Sequence, residues 1–252
     1  MGTHKIHEKR RGEQKRFWKE VTVVQEGEEG AEQRFSIALD RRVIRLPKGT
    51  RLSVTSHALA EALAEEWRLI GEGQNFVPTD LPLTGMTGFM VECLPQAQKN
   101  IIQNLLAYAQ SDLLSYREAS YSALYRRQSE IWDPLLQQLE VLLGCRLAVT
   151  TGVMPMTQTE ETMRIFQQAL EASTQVELTV LGNVVPVMGS LALGFLLLKT
   201  HMTAETLVQA ATLDEQFQMT LWGTEPEITQ RIATMTKDIA TAIRFLTLCQ
   251  KG

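Results

Sequence analysis

A chain of 252 residues, 44% hydrophobic and 21% charged, can bury a sizeable core and is not the composition of a disordered protein. Its net charge of −4 gives no general attraction to nucleic acid or to an anionic membrane. Cys93, Cys145 and Cys249 lie far apart in apolar contexts, with no CxxC and no His at zinc spacing. Free thiols in a reducing compartment are expected, with no metal and no cofactor.

Residues 1–15 read as a disordered basic tail, with Lys5, Lys9, Arg10, Arg11 and Lys15 against Glu8 and Glu13. It lacks an apolar h-region and is neither Ser-rich nor acid-poor, so neither a secretory signal nor a transit peptide is expected. From Phe17 to Val54 the pattern is β. Val21 and Val23 flank Thr22, Phe35, Ile37 and Leu39 alternate with small residues, and Val43–Leu46 and Leu52–Val54 follow. The turn signals between them, Asp40-Arg41-Arg42 and Pro47-Lys48-Gly49 among them, are short and imply an antiparallel meander. Thr55 or Ser56 can cap a helix whose buried face is Leu59, Leu63, Trp67 and Ile70, ending at Gly71 and Gly73. Residues 16–92 thus form a small β-rich α+β domain, with Phe76 to Thr87 as a connector.

Residues 93–252 read as a larger all-α domain. Ile101, Ile102, Leu105, Leu106, Ala109 and Leu113 make one stripe; Leu124, Gln128, Ile131, Leu135, Leu139 and Leu142 make another, closing at Gly144. Within that run Asp133 can cap a helix that has Pro134 at its first position. Met163, Phe166 and Leu170 mark a shorter helix. Leu178 to Leu198 holds no charge and is near the length of a membrane span, but Gly182, Asn183 and Pro186 favour a turn followed by a buried helix. Thr203 starts a helix that ends at Gly223, and a last one begins near Glu227.

Catalytic signatures are missing: no P-loop, no GxGxxG after a strand, no GxSxG elbow and no HExxH. The densest polar–aromatic cluster is Tyr108 to Arg117, where a buried Asp112–Arg117 contact is the structural reading and a catalytic acid the alternative. Trp132 and Trp67 read as core anchors. Glu225 and Glu227, just after Trp222-Gly223, sit where a helix dipole favours carboxylates, with a partner-binding role as the alternative.

These segments, in this order, resemble the F-type ATP synthase assembly chaperones that handle the alpha subunit of the catalytic head, a family of mitochondria and alphaproteobacteria. The resemblance runs over Arg16-Phe17-Trp18-Lys19-Glu20-Val21, Leu39 to Arg42, Glu66-Trp67, Pro82-Leu83-Thr84 and Tyr108 to Arg117. It continues through Gln128, Trp132 to Leu136, Leu213-Asp214-Glu215 and Trp222-Gly223. It implies a two-domain chaperone, working without ATP, that binds the free alpha subunit and covers its beta-facing surface until the hexamer forms. It also implies a functional acidic residue, which best matches Glu227, with Glu225 as the fallback. Trp67, Asp112, Arg117, Trp132, Asp133, Trp222 and Gly223 fall on motif positions read as structural. Gly85, Gly88, Glu92 and Phe217 depart from the pattern. The free protein is expected to be monomeric and cytoplasmic in a bacterium, with the mitochondrial matrix as the alternative location. It is expected to bind no nucleic acid and to insert in no membrane. The alternative functions are an enzyme at Tyr108–Arg117 or a membrane-associated assembly factor using Leu178–Leu198.

Overall fold

The computed structural model describes residues 12–26, 33–152 and 156–251, so most of the basic tail lies outside the described residues. The fold is α+β, and the chain divides into two compact units, residues 1–93 with 247–252, and residues 94–246.

In the first unit, β1 (Gln14–Lys15) pairs antiparallel with β6 (Asn75–Phe76), so the last residues assigned to the tail are a strand. The main sheet is built on β3 (Arg34–Leu39), which pairs with β2 (Val21–Glu26) over its whole length, Val21 opposite Leu39. On its other side β3 pairs first with β4 (Arg42–Val43) and then with β5 (Ser53–Val54). The strands are antiparallel as expected, but the order is not a simple meander, because both short strands return to β3. The β3–β4 turn places Asp40 at φ 46° and Arg41 at φ 69°, the paired left-handed geometry that matches strand twist. The Asp40 carboxylate steadies it by accepting from Lys19 N and Glu20 N at 3.0 and 2.9 Å. These backbone N–H donors, Glu20 first, hold Asp40 below the usual carboxylate pKa.

Helix α1 (His57–Leu69) is capped by Ser56, which accepts from Leu59 N. Leu59, Leu63 and Trp67 are buried, and α1 packs on β2 and β3. Trp67 joins Trp18 and Phe76 in an edge-to-face trio with centroids 5.2–5.8 Å apart. The expected connector is largely helical: a 3₁₀ turn at Pro78–Asp80 precedes α2 (Pro82–Gly88). The missing signal was a remote cap. Glu66 accepts from Leu83 N and Thr84 N at 2.7 and 2.9 Å, satisfying donors that α2 cannot satisfy itself. Trp67 Nε1 donates to Thr84 Oγ1, so Glu66-Trp67 and Pro82-Leu83-Thr84 form one latch.

The second unit holds α3 (Leu94–Gln110), α4 (Ala123–Leu143), α5 (Glu160–Glu171), α6 (Gln175–Met188), α7 (Leu191–Lys199), α8 (Ala204–Ala211), α9 (Leu213–Trp222) and most of α10 (Pro226–Gln250). A short parallel pair, β7 (Tyr116–Arg117) with β8 (Thr150–Thr151), accompanies them. Helix α7 is the centre: Leu191 to Leu197 are all buried, and it packs against α3, α4 and α6. A Cβ on Gly194 would lie 2.7 Å from Val185 and 2.9 Å from Leu181, so a side chain there would force those two residues to shift at the close α6–α7 approach.

Three expectations fail in this unit. The turn expected around Gly182 and Pro186 is helix α6, begun by a Thr174–Glu177 capping box and ended by Gly189 at φ 67°. Its apolar face, Leu178, Leu181, Val184, Val185 and Met188, is buried, which outweighs the helix penalties of glycine and of a proline in the last turn. Asp133 caps nothing, because α4 runs unbroken past Pro134 from its true cap, Ser122, which accepts from Tyr125 N. Buried Trp132 and Leu135 hold the helix on either side of the proline. The helix expected from Thr203 to Gly223 breaks at Thr212, between α8 and α9. Leu178–Leu198 forms two helices parted by Gly189-Ser190, and no described helix is long and apolar enough to cross a membrane.

Candidate functional site

Two places in the second unit collect the residues with chemical character. The first is the Tyr108–Arg117 cluster. Asp112 is fully buried, but Arg117 is not its partner. The Asp112 carboxylate accepts from Leu114 N at 3.0 Å, from Ser190 Oγ at 2.8 Å and from Ala192 N at 3.0 Å. It thereby caps both the 3₁₀ turn Leu113–Ser115 and the N-terminus of α7. Burial pushes its pKa up to about 6, against the pull of those hydrogen bonds.

Arg117, expected to meet Asp112, turns to Asp133, 2.9 Å away. Its guanidinium lies over the Trp132 ring, 4.9 Å from the centroid. Burial, partly offset by Asp133, lowers its pKa from the ordinary arginine value. Trp132 is fully buried and donates from Nε1 to Ala210 O at 2.9 Å. Gln128 accepts from Glu118 N and donates to Asp214 at 2.8 Å, joining α4 to α9. Gln158 reaches Ser115 Oγ from the start of α5. Asp112, Ser115 and Arg117 are thus shut from solvent; the Asp112 carboxylate and the Ser115 hydroxyl have internal partners, while the buried Arg117 Nη1 has none. An enzyme site at this cluster needs an open pocket, whereas these three side chains are buried.

The second place is the end of α9 and the start of α10. Packing fades along α9: Leu213 is buried, Phe217 half-buried, Leu221 61% exposed and Trp222 85% exposed. Trp222 therefore does not serve the core, despite the structural role read for it. Gly223 ends the helix at φ 95°, a conformation L side chains rarely adopt. Glu225 and Glu227 are exposed, and no hydrogen bond or ion pair among the described residues engages either carboxylate. The Glu225 backbone oxygen accepts from Thr229 N, and Glu227 lies in the first turn of α10. Arg231 pairs with Glu215, tying α10 to α9. A groove of about 530 Å³ beside them is lined by Val187, Glu227, Gln230, Arg231, Thr234, Met235 and Asp238. The described residues contain no cluster of ligands that could hold a metal ion.

Known proteins resemble this chain in sequence and fold. The profile of the ATP12 chaperone protein family matches residues 15–140, half of the chain. Two structures of Atp12 from Paracoccus denitrificans, one of them a point mutant, are 31% identical with TM-scores of 0.83. They cover 93% of this chain, and this chain covers 97% and 98% of theirs. The chain belongs to the ATP12 chaperone family. A protein from Agrobacterium tumefaciens is 30% identical with a TM-score of 0.84, over 93% of this chain and 86% of that one.

Seen as an ATP12-family chain, the motif residues sort by their surroundings. Arg16 donates to Trp18 O and Lys19 O, and Trp18 is buried beside Trp67. Glu66, Trp67, Thr84, Asp112, Arg117, Gln128, Trp132, Asp133 and Asp214 all bind other residues of their own unit. Gly85, Gly88 and Glu92, where the chain departs from the pattern, line an apolar cleft of about 460 Å³ in the first unit. Glu92 is occupied there by Lys48 N and Thr50 N. Trp222 and the acidic pair after it are exposed, and no side-chain hydrogen bond, ion pair or ring contact among the described residues engages them. Sequence reasoning missed Leu221, whose fourfold spacing from Leu213 and Phe217 suggests an inward stripe.

Proposed function

We propose that the protein is an assembly chaperone of the F-type ATP synthase. It binds the free alpha subunit of the catalytic head and covers the surface destined for the beta subunit until the hexamer forms, without hydrolysing ATP. The reading is carried by membership of the ATP12 chaperone family over nearly the whole chain. The physics fits, because an unassembled subunit of an obligate oligomer exposes a large apolar interface that would otherwise aggregate. Glu227, with Glu225 beside it, is the acidic contact of this reading. Both carboxylates are solvent-facing and unclaimed by the rest of the described residues, as a partner contact requires. The working location is the bacterial cytoplasm, in keeping with the bacterial relatives.

The test is co-expression with the cognate alpha subunit. Soluble alpha yield should rise and a complex should co-purify; an unchanged yield with no complex would sink the reading. Glu227→Lys should weaken the effect while leaving the melting temperature nearly unchanged. Full activity in that variant removes Glu227 from the contact.

A further inference from the structure

We infer that Leu221 and Trp222 are an aromatic anchor that enters an apolar pocket on the client, and that this pocket is rimmed by lysine or arginine. The inference rests on the chaperone reading above and specifies the chemistry of the surface that is gripped.

The four tryptophans divide sharply. Trp18, Trp67 and Trp132 are 1%, 9% and 0% exposed, and each packs against another aromatic ring or a guanidinium. Trp222 is 85% exposed, and it has no ring or cation partner among the described residues. Leu221, 61% exposed, adjoins it. Two large apolar side chains stand together in water at the end of a helix whose one buried residue, Leu213, lies at its other end, and none of the described residues covers them. Tryptophan is the side chain most enriched among residues that carry binding energy, because it desolvates a large area at low entropy loss.

Charge selects the occupant. Between Leu213 and Ala240 the chain holds five carboxylates (Asp214, Glu215, Glu225, Glu227 and Asp238) against Arg231 and Lys237. That stretch carries most of the net charge of −4. Asp214 is taken by Gln128 and Glu215 by Arg231. The Glu225, Glu227 and Asp238 side chains form no ion pair among the described residues, and two of them line the groove with Val187 and Met235. A second copy of this chain would set like charges face to face, and an anionic lipid surface would be repelled. A protein pocket that is apolar inside and basic at its edge satisfies both the anchor and the free carboxylates.

The experiment compares the full-length chain with Trp222→Ala and Trp222→Phe, using the purified cognate alpha subunit as the probe. Titration calorimetry reads affinity, and acrylamide quenching reads the exposure of Trp222. Trp222→Ala should bind at least tenfold, and on the order of thirtyfold, more weakly. Trp222→Phe should bind within a few-fold of wild type. The wild-type emission that Trp222→Phe lacks should shift to the blue and resist quencher once alpha is added. Wild-type affinity should fall as salt rises. If wild type binds alpha and Trp222→Ala binds equally well, the anchor is wrong while the chaperone reading stands. If wild type binds no alpha, that reading fails and takes the anchor with it. Dimerisation of wild type that Trp222→Ala abolishes without touching alpha binding also overturns the proposal, as does a large drop in the melting temperature of Trp222→Ala.

Discussion

The buried cluster around Arg117 and the exposed end of α9 carry the same kind of sequence signal, tryptophan beside carboxylates, yet the fold treats them oppositely. At the first, Arg117 pairs with Asp133, Asp112 accepts from Ser190 Oγ and Ala192 N, and Trp132 donates to Ala210 O. At the second, Trp222, Glu225 and Glu227 face solvent. A motif residue with its partners inside the protein stabilises the fold, whereas one without them is free to meet another molecule. Proximity in sequence does not separate the two cases, but occupancy of the polar atoms does.

Substitutions can break this contrast. Trp132→Ala should have the largest effect, a loss of about 4 kcal/mol in chemical denaturation, since it empties a fully buried site and orphans Ala210 O. A loss under about 1 kcal/mol would show that the cluster is not the core described. Asp112→Ala should follow at about 2–3 kcal/mol, because Ser190 Oγ, Ala192 N and Leu114 N lose their acceptor in a dry interior. In both variants, alpha binding per folded molecule should survive. Glu227→Lys should show the reverse, with stability changed by less than about 1 kcal/mol through the helix dipole and binding impaired.

The smallest effect is a pH dependence. Burial raises the Asp112 pKa from 3.8 to about 6, so the folded chain holds this proton more tightly than the unfolded chain. The contribution of Asp112 is therefore most favourable below pH 3.8, declines as pH rises to about 6, and is level above. The stability difference between wild type and Asp112→Asn, followed from pH 4 to pH 7, should move against wild type across that window. A flat difference would mean that the hydrogen bonds, not burial, govern the carboxyl.

Local signals in the sequence were legible where they act within one or two turns. Ser56 capped α1 as read, Phe166 and Leu170 lined the buried face of α5, and Gly144 closed α4 in a left-handed cap. Leu191–Leu198 lies wholly within the buried helix α7. The α2 helix was not legible, because its cap, Glu66, arrives from another helix. Nor was α6, since Gly182 and Pro186 argue locally for a break that burial of the opposite face overrides.

Amino-acid order alone determined the class of the fold, the family resemblance and the positions of most helices, since periodicity and caps are written within a few residues of where they act. Tertiary structure decided who pairs with whom. Asp112 meets Ser190 and Ala192 from some eighty residues away, and Arg117 takes Asp133 instead. It also decided that Trp222 faces water. Whether an apolar side chain is core or contact depends on a second surface arriving to cover it, and at the end of α9 none of the described residues supplies that surface.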